Sequence, residues 1–159
     1  MGYKFLEHTA DIKVRVEATS LESAFISSAM ALKEVIVEKL SIKPLIKKHI
    51  EVYARDKEGL LYNFLEEFLF LLDSQGFIFS EIKNLKITMI NKKGKKLFCL
   101  KCDILGDKTK NYKMSNDVKA ITYNEMKILS KESEKSKTNN KIDKTSNKNK
   151  TIIEFVLDV

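Results

Sequence analysis

The chain has 159 residues, of which 43% are hydrophobic, and this is enough apolar material for one domain with its own core. No apolar run approaches the roughly 20 residues of a membrane-spanning helix. No secretory leader precedes the first strand-like segment. The sequence therefore indicates an intracellular protein, cytoplasmic or nuclear, that does not enter a membrane.

The net charge of +7 is unevenly distributed. Residues 130–150 contain seven lysines and three acidic residues, a net charge of +4, whereas the other 138 residues together carry only +3. A basic domain face is therefore not indicated. Because this segment has one aliphatic residue and no aromatic one, it cannot bury enough surface to offset the entropy of ordering. We expect 1–159 to be a single domain in which 130–150 is a lysine-rich, disordered insertion between two strands.

The first half of the chain alternates strand and helix patterns. A short strand over 3–7 leads to a His-Thr-Ala-Asp corner, and apolar and charged residues then alternate over 12–18, which is typical of a half-buried strand. Thr19 and Glu22 have the spacing of a capping box, with Thr19 as the N-cap of the first helix. A third strand is predicted over 48–54.

The second helix is predicted over 57–75, with Asp56 as its N-cap and Gly76 as its left-handed end. It is apolar around much of its circumference, which indicates a central element covered on more than one side. Strands are then predicted over 77–82, 85–90, 97–105, 118–129 and 151–159. Two helices among seven to eight strands, without regular βαβ alternation, predict an α+β fold with mostly antiparallel sheets.

The two cysteines, Cys99 and Cys102, lie three residues apart in a predicted strand. An odd spacing places their side chains on opposite faces, which suits neither a shared metal nor a bridge. Two reduced strand cysteines are the simpler interpretation, since intracellular compartments keep thiols reduced.

Familiar catalytic motifs do not occur in the sequence. There is no glycine-rich phosphate loop, no nucleophile elbow and no His-Glu-x-x-His zinc motif. With only two histidines, the chain has little material for a histidine-based acid–base site. The balance of residues favours a binding or assisting role and predicts no catalytic residue.

Carboxylates mark two predicted strand ends. Asp11 follows the first strand, and Asp158 precedes Val159, which carries the terminal carboxylate. If these strands are neighbours, three carboxylates could converge, and such hard oxygen ligands suit Ca²⁺, Mg²⁺ or Mn²⁺. From the residues alone the alternative stays open, because an aspartate at a strand end is commonly a turn former or simply solvated.

Five blocks of sequence resemble the archease family. They occur in the family's order and span most of the chain outside the lysine-rich segment. They are Y-K-F-L-E-H-T-A-D-I (3–12), S-L-E-S-A-F (20–25), L-L-Y-N-F-L-E-E-F-L-F-L-L-D-S-Q-G-F-I-F-S-E-I (60–82), V-K-A-I-T-Y (118–123) and the closing V-L-D-V.

The resemblance implies a non-catalytic partner of an RtcB-type tRNA-splicing ligase. That ligase joins RNA ends bearing a 2′,3′-cyclic phosphate to 5′-hydroxyl ends, using GTP and a divalent metal, and is first guanylylated on its own histidine. Archeases promote this guanylylation and multiple turnover, and we expect RNA to be contacted only indirectly or weakly. The family's metal ligands fall on Asp11, Asp158 and Val159, with Ca²⁺ foremost and Mg²⁺ or Mn²⁺ as alternatives. The family's ligase-activating lysine falls on Lys119.

The chain departs from the family at one position that could matter for function. Archeases usually carry a histidine six residues before the valine of V-K-A-I-T-Y, and here that residue is Tyr112. Any role of the family histidine is therefore in question for this chain.

Two other functions remain as alternatives from the sequence. One is a metal-dependent phosphoesterase that uses the same carboxylates. The other is an RNA-binding or chaperone-like module whose RNA affinity depends on the lysine segment and falls steeply with salt.

Overall fold

A computed structural model describes residues 2–6, 11–131 and 149–159. These residues form seven strands, two α-helices and one short 3₁₀ turn. In chain order they are β1 (Gly2–Leu6), β2 (Ile12–Ala18), α1 (Leu21–Val37), β3 (Ile46–Ala54), α2 (Lys57–Gln75), β4 (Phe77–Lys92), β5 (Lys95–Lys108), the turn Thr109–Asn111, β6 (Ala120–Lys131) and β7 (Lys150–Asp158).

The strands form two antiparallel sheets. The first sheet has the order β1-β2-β7-β6 and the second β3-β5-β4. Both helices contact both sheets, so the helices form a layer between them. The α+β class, the two helices and the antiparallel pairing predicted from the sequence are confirmed.

Aromatic rings connect the two helices to the second sheet. The centroids of Phe25 and Phe64 are 5.9 Å apart, those of Phe64 and Phe68 5.0 Å, and those of Phe68 and Phe79 4.4 Å. Each such pair contributes about 0.5–1.5 kcal/mol beyond the burial of its area. Because α2 contacts strands of both sheets, its prediction as a central element is confirmed.

The helix ends follow the local signals with one exception. The Asp56 carboxylate accepts a hydrogen bond from the amide of Gly59, and Gly76 ends α2 with a φ of 57°, as predicted. Thr19 is not the N-cap of α1. Ser20 takes that position, with its Oγ accepting from the amide of Ser23 at 3.1 Å. The helix thus starts one residue later than predicted, and the capping box with Glu22 does not form.

The predicted strands 77–82 and 85–90 are one continuous strand, β4. The pairing of β4 with β5 is interrupted by irregularities between Phe79 and Glu81 and between Lys83 and Lys86, and Asn84 has a φ of 57°. A bulge bends a strand without ending it, so residues 83–84, which the prediction left between two strands, lie within β4. The described residues therefore contain seven strands, within the predicted seven to eight.

β7 is a central strand, as expected for so apolar a tail. Its core-facing residues Ile153, Phe155 and Leu157 are fully buried. At one end of the sheet Lys131 of β6 pairs with Lys150 of β7, so both edges of the predicted insertion 130–150 belong to strands. The remainder of that prediction, 132–148, lies outside the described residues, as does the corner 7–10.

The two cysteines lie in β5, and both are free thiols. Cys99 pairs in register with Tyr53, and Cys102 with Ile50. Burial, followed by the nearby charge of Asp103, raises the pKa of Cys102 to about 12. A thiol with so high a pKa holds almost no thiolate, so Cys102 packs as a small apolar side chain.

No helix in the described part of the chain combines the length and apolarity needed to cross a membrane.

Candidate functional site at one end of the first sheet

Three strand ends meet at one end of the first sheet. β2 begins at Ile12, which pairs with Leu157, and β6 begins at Ala120, which pairs with Asp158. Because β7 lies between β2 and β6, residues next to these pairs share one edge. The structure thus brings together the four predicted site residues, which are Asp11, Lys119, Asp158 and Val159.

The two aspartates lie on neighbouring strands. Extending the register of Ile12 and Leu157 by one residue sets Asp11 against Asp158. Leu157 is fully buried, so the alternation of a strand directs Asp158 away from the core. Both aspartates are half-buried, and Val159, with the terminal carboxylate, packs partly against the core. Within the described residues the Asp158 carboxylate makes no hydrogen bond or ion pair.

Lys119 is attached to this edge by its main chain. Its amide donates a hydrogen bond of 2.8 Å to the carbonyl oxygen of Asp158, while its side chain is exposed. The residue before it is also fixed, because Val118 is buried at 3% exposure. A fixed backbone therefore presents the Lys119 side chain to solvent at the end of the sheet that also carries the two aspartates.

The loop that leads to Lys119 is held by the C-terminal end of α1. The amide of Ser115 donates to the carbonyl of Ile36 at 2.9 Å, and the Asn116 side chain donates to the carbonyl of Val35 at 3.0 Å. The last carbonyls of a helix have no partner within the helix. The loop satisfies two of them, and in return its position is fixed.

The donor set at this edge suits a hard cation. The two side-chain carboxylates are oxygen ligands of the kind that Ca²⁺, Mg²⁺ and Mn²⁺ prefer. Among the described residues, no group of three or more His, Cys, Asp or Glu could hold a metal by itself. At this end of the sheet the described side chains offer two carboxylates, those of Asp11 and Asp158.

A cavity of about 600 Å³ opens beside Asp11, between the first two strands and the end of α1. It is lined by Phe5, Leu6, Asp11, Ile12, Glu34, Val35, Glu38 and Lys39. The Tyr3 hydroxyl donates to Glu34, and burial together with this bond raises the pKa of Tyr3 to about 12. Tyr3 therefore remains a neutral donor that fixes Glu34 at the rim.

Tyr112, which replaces the family's usual histidine, lies in a network that the sequence did not suggest. Its hydroxyl donates to Asp107 at 2.8 Å and accepts from the amide of Lys43 at 2.9 Å. Asp107 also accepts from the amide of Lys108 and the side chain of Asn111. The bond from Tyr112, followed by that from Lys108, holds the pKa of the Asp107 carboxyl below its ordinary value. In this chain position 112 ties the end of β5 to the connection before β3.

Comparison with known proteins agrees with this architecture. The sequence profile described as the archease protein family (MTH1598/TM1083) matches residues 3–159. The archease of Pyrococcus furiosus is 40% identical over 128 residues, covering 79% of this chain and 87% of that protein. The archease of Thermococcus kodakarensis is 39% identical over 126 residues, with the same coverage of 79% and 87%.

A solved structure shares the fold. The solution structure of Methanobacterium thermoautotrophicum protein 1598 superposes with a TM-score of 0.69 at 23% identity, and the match covers 99% of each chain. The family profile spans nearly the whole sequence and includes every predicted site residue. The chain therefore belongs to the archease family.

Proposed function

We propose that this protein is a non-catalytic accessory factor of an RtcB-type RNA ligase in tRNA splicing or RNA repair. It promotes guanylylation of the ligase and so supports multiple turnover. Its functional site is the end of the first sheet where Asp11, Lys119, Asp158 and Val159 lie, called the Asp158 edge below, and this site holds a divalent cation. Membership of the archease family supports the accessory role.

The single observation that carries this proposal is the convergence of three strand ends. Asp11 and Lys119 are more than 100 residues apart in sequence, yet each is adjacent to β7 through backbone pairing. The core beneath them is rigid, because the β7 residues Phe155 and Leu157 are fully buried. Charged groups on such a support are held in place before a partner arrives, which lowers the cost of binding.

The bound cation and the lysine at this end of the sheet can act on a ligase that uses GTP and a divalent metal. A bound divalent cation would supply positive charge that polarises and orients phosphate oxygens. Lys119 places a point charge next to it, where it can pair with a phosphate or with a ligase carboxylate. Stimulation requires that the protein bind the guanylylation-competent conformer of the ligase more tightly than the other conformer.

The test is a guanylylation assay. Purified ligase from the same source is incubated with labelled GTP and Mn²⁺, with and without this protein, and both the labelled ligase and the ligated RNA per ligase are measured. We expect the protein to raise the rate of guanylylation and to allow more than one ligation per ligase. An absence of stimulation at saturating protein would refute the proposal.

Two matched pairs of variants assign the effect to the proposed edge. Asp158→Asn removes one negative charge, and Glu17→Gln makes the same kind of change on an exposed residue near the other end of the sheet. The control for Lys119→Ala is Lys127→Ala, because Lys127 is also an exposed lysine and lies in β6. Asp158→Asn and Lys119→Ala should lose stimulation, and both controls should keep it.

A further inference from the structure

Among the described residues, no strand covers the face of α2 that lies between β3 and β6. On one side the Asn63 side chain donates to the carbonyl of Tyr53 in β3 at 2.9 Å. On the other side the ring of Tyr62 meets that of Tyr123 in β6, with centroids 5.7 Å apart and nearly perpendicular planes. β3 and β6 are both edge strands. The helix therefore lies between the two edge strands, and its exposed surface between them is called the groove below.

The open face of α2 carries carboxylates and an exposed aromatic ring. Glu66 and Glu67 follow Tyr62 and Asn63 by one helical turn, and Phe70 follows them by another. Phe70 is 56% exposed and Tyr123 is 50% exposed. Tyr62 and Phe70 are eight residues apart, which is about 12 Å along a helix. The aromatic rings of Tyr62 and Phe70 thus lie on either side of the two glutamates along the helix.

An irregularity in the pairing of β6 with β7 determines the position of Tyr123. Thr122 pairs with Val156 and Lys127 with Glu154, so the residues from Tyr123 to Met126 stand opposite the single residue Phe155. Extra residues of this kind bend an edge strand and redirect its side chains. Here Tyr123 is brought over Tyr62 on the helix. The groove wall is therefore shaped by the fold rather than by a chance side-chain position.

The charge of this face is opposite to that of the whole chain. From Tyr62 to the end of α2 there are three acidic residues, Glu66, Glu67 and Asp73, and no lysine or arginine, although the chain carries +7. Within the described residues neither Glu66 nor Glu67 forms an ion pair. The side chain of Tyr62 is hydrogen-bonded to Glu66, but no cationic side chain of the described residues neutralises either carboxylate, so a partner that brings positive charge would be attracted to them. Aromatic residues beside them are the type that contributes most to protein interfaces.

We propose that this groove, defined by Tyr62, Glu66, Glu67, Phe70 and Tyr123, is a second docking surface for the ligase. Its occupant is a segment of the ligase that presents a lysine or arginine between two apolar side chains. The basic side chain lies over Glu66 and Glu67, and the apolar ones contact Phe70 and the Tyr62–Tyr123 pair. This inference rests on the proposed function. The groove determines the affinity for the ligase, whereas the Asp158 edge determines the stimulation of guanylylation.

The test measures binding and stimulation separately. The dissociation constant for the ligase is determined by calorimetry at two salt concentrations, and guanylylation is measured at saturating protein. Phe70→Ala should weaken binding by about 10-fold or more. The double variant Glu66→Gln/Glu67→Gln should weaken it and make it less dependent on salt. Both should reach wild-type stimulation at saturation, whereas Asp158→Asn should not.

Leu129→Ala is the control for Phe70→Ala, because Leu129 is also 56% exposed but lies on β6 near the other end of the sheet. Equal binding of the wild type and both groove variants would refute the docking surface while leaving the proposed function intact. An equal loss from Leu129→Ala would refute it too, since the effect would then not belong to the groove. A wild-type protein that neither binds nor stimulates the ligase would instead refute the proposed function.

Discussion

Asp107 and Asp158 stand near the ends of two strands, β5 and β7, yet their surroundings differ. Asp107 is 5% exposed, and its carboxylate accepts hydrogen bonds from Tyr112, Asn111 and the amide of Lys108. Asp158 is half-buried, and its main-chain oxygen accepts from the amide of Lys119, whereas its carboxylate makes no hydrogen bond or ion pair within the described residues. The first carboxylate is satisfied by its own chain, whereas the second faces outward.

The difference predicts different roles for two aspartates in similar sequence positions. A carboxylate whose lone pairs are filled by nearby donors stabilises the fold, because leaving those buried donors without an acceptor would cost free energy. A carboxylate held at a rigid edge without such donors can bind a cation or a partner instead. The region around Asp107 should therefore respond to substitution by losing stability, and the edge around Asp158 by losing function.

The largest effect is expected beside Asp107, at Gly106. A Cβ there would lie 2.1 Å from the carbonyl oxygen of Ile78 and 2.7 Å from the Cα of Phe79, and neither backbone atom can move away cheaply. Gly106→Ala should lower the free energy of unfolding by about 3 kcal/mol or more, as measured by urea denaturation. Gly2→Ala is the control, because no atom lies within 4 Å of its Cβ. Similar stability of the two variants would show that the β4–β5 contact is looser than described.

A crossed comparison of Asp107→Asn and Asp158→Asn tests the difference directly. Asp158→Asn should reduce ligase stimulation and divalent-ion affinity by at least about 10-fold. Its free energy of unfolding should stay within about 1 kcal/mol of the wild type, since no core contact is removed. Asp107→Asn should melt earlier, and the protein that remains folded should still stimulate the ligase. The opposite pattern, with Asp158→Asn unstable and fully active, would reverse the two roles.

Extending the chain beyond Val159 should have an intermediate effect. Added residues replace the terminal carboxylate by an amide at the Asp158 edge, so the summed negative charge that a hard cation binds is reduced. A C-terminal tag should weaken Ca²⁺ and Mn²⁺ binding and ligase stimulation. An N-terminal tag should be tolerated, because Gly2 pairs with Glu17 near the other end of the sheet. Equal ion affinity in the two tagged proteins would remove Val159 from the site.

The smallest effect, a shift of a few degrees in melting temperature, is expected from Tyr112→Phe, and it should depend on pH. The pKa of Asp107 is lowered in the folded state. The stability that this carboxylate contributes is therefore present above its ordinary pKa and is lost as the pH falls through its folded-state pKa. Removing the Tyr112 hydroxyl should destabilise the protein at neutral pH, and the difference should shrink in acid.

Tyr123→Phe serves as the control for this pH series, because the Tyr123 hydroxyl makes no hydrogen bond within the described residues. Melting curves at neutral pH and at several acidic values measure both variants. A difference between wild type and Tyr112→Phe that stays constant from neutral pH into strong acid would show that Tyr112 does not act through Asp107.

Local patterns in the sequence determined most of the secondary structure. The alternation over 12–18, the cap at Asp56 and the left-handed end at Gly76 each depend on neighbouring residues, and each is confirmed. The errors are local as well. Thr19 and Ser20 are adjacent, and both residue types are favourable N-caps, but in the structure Ser20 is the N-cap. The two strands predicted over 77–82 and 85–90 form one strand, β4, with irregular pairing between them.

The candidate site shows what only the tertiary structure decided. The sequence identified Asp11, Lys119, Asp158 and Val159 through the family resemblance, but their proximity depends on strand pairing between residues far apart in the chain. No local sequence pattern predicted the hydrogen bond between Tyr112 and Asp107 or the groove between β3 and β6. Local sequence specifies local hydrogen bonds and periodicity, whereas distant contacts arise from burying many apolar faces together, and no short segment encodes that choice.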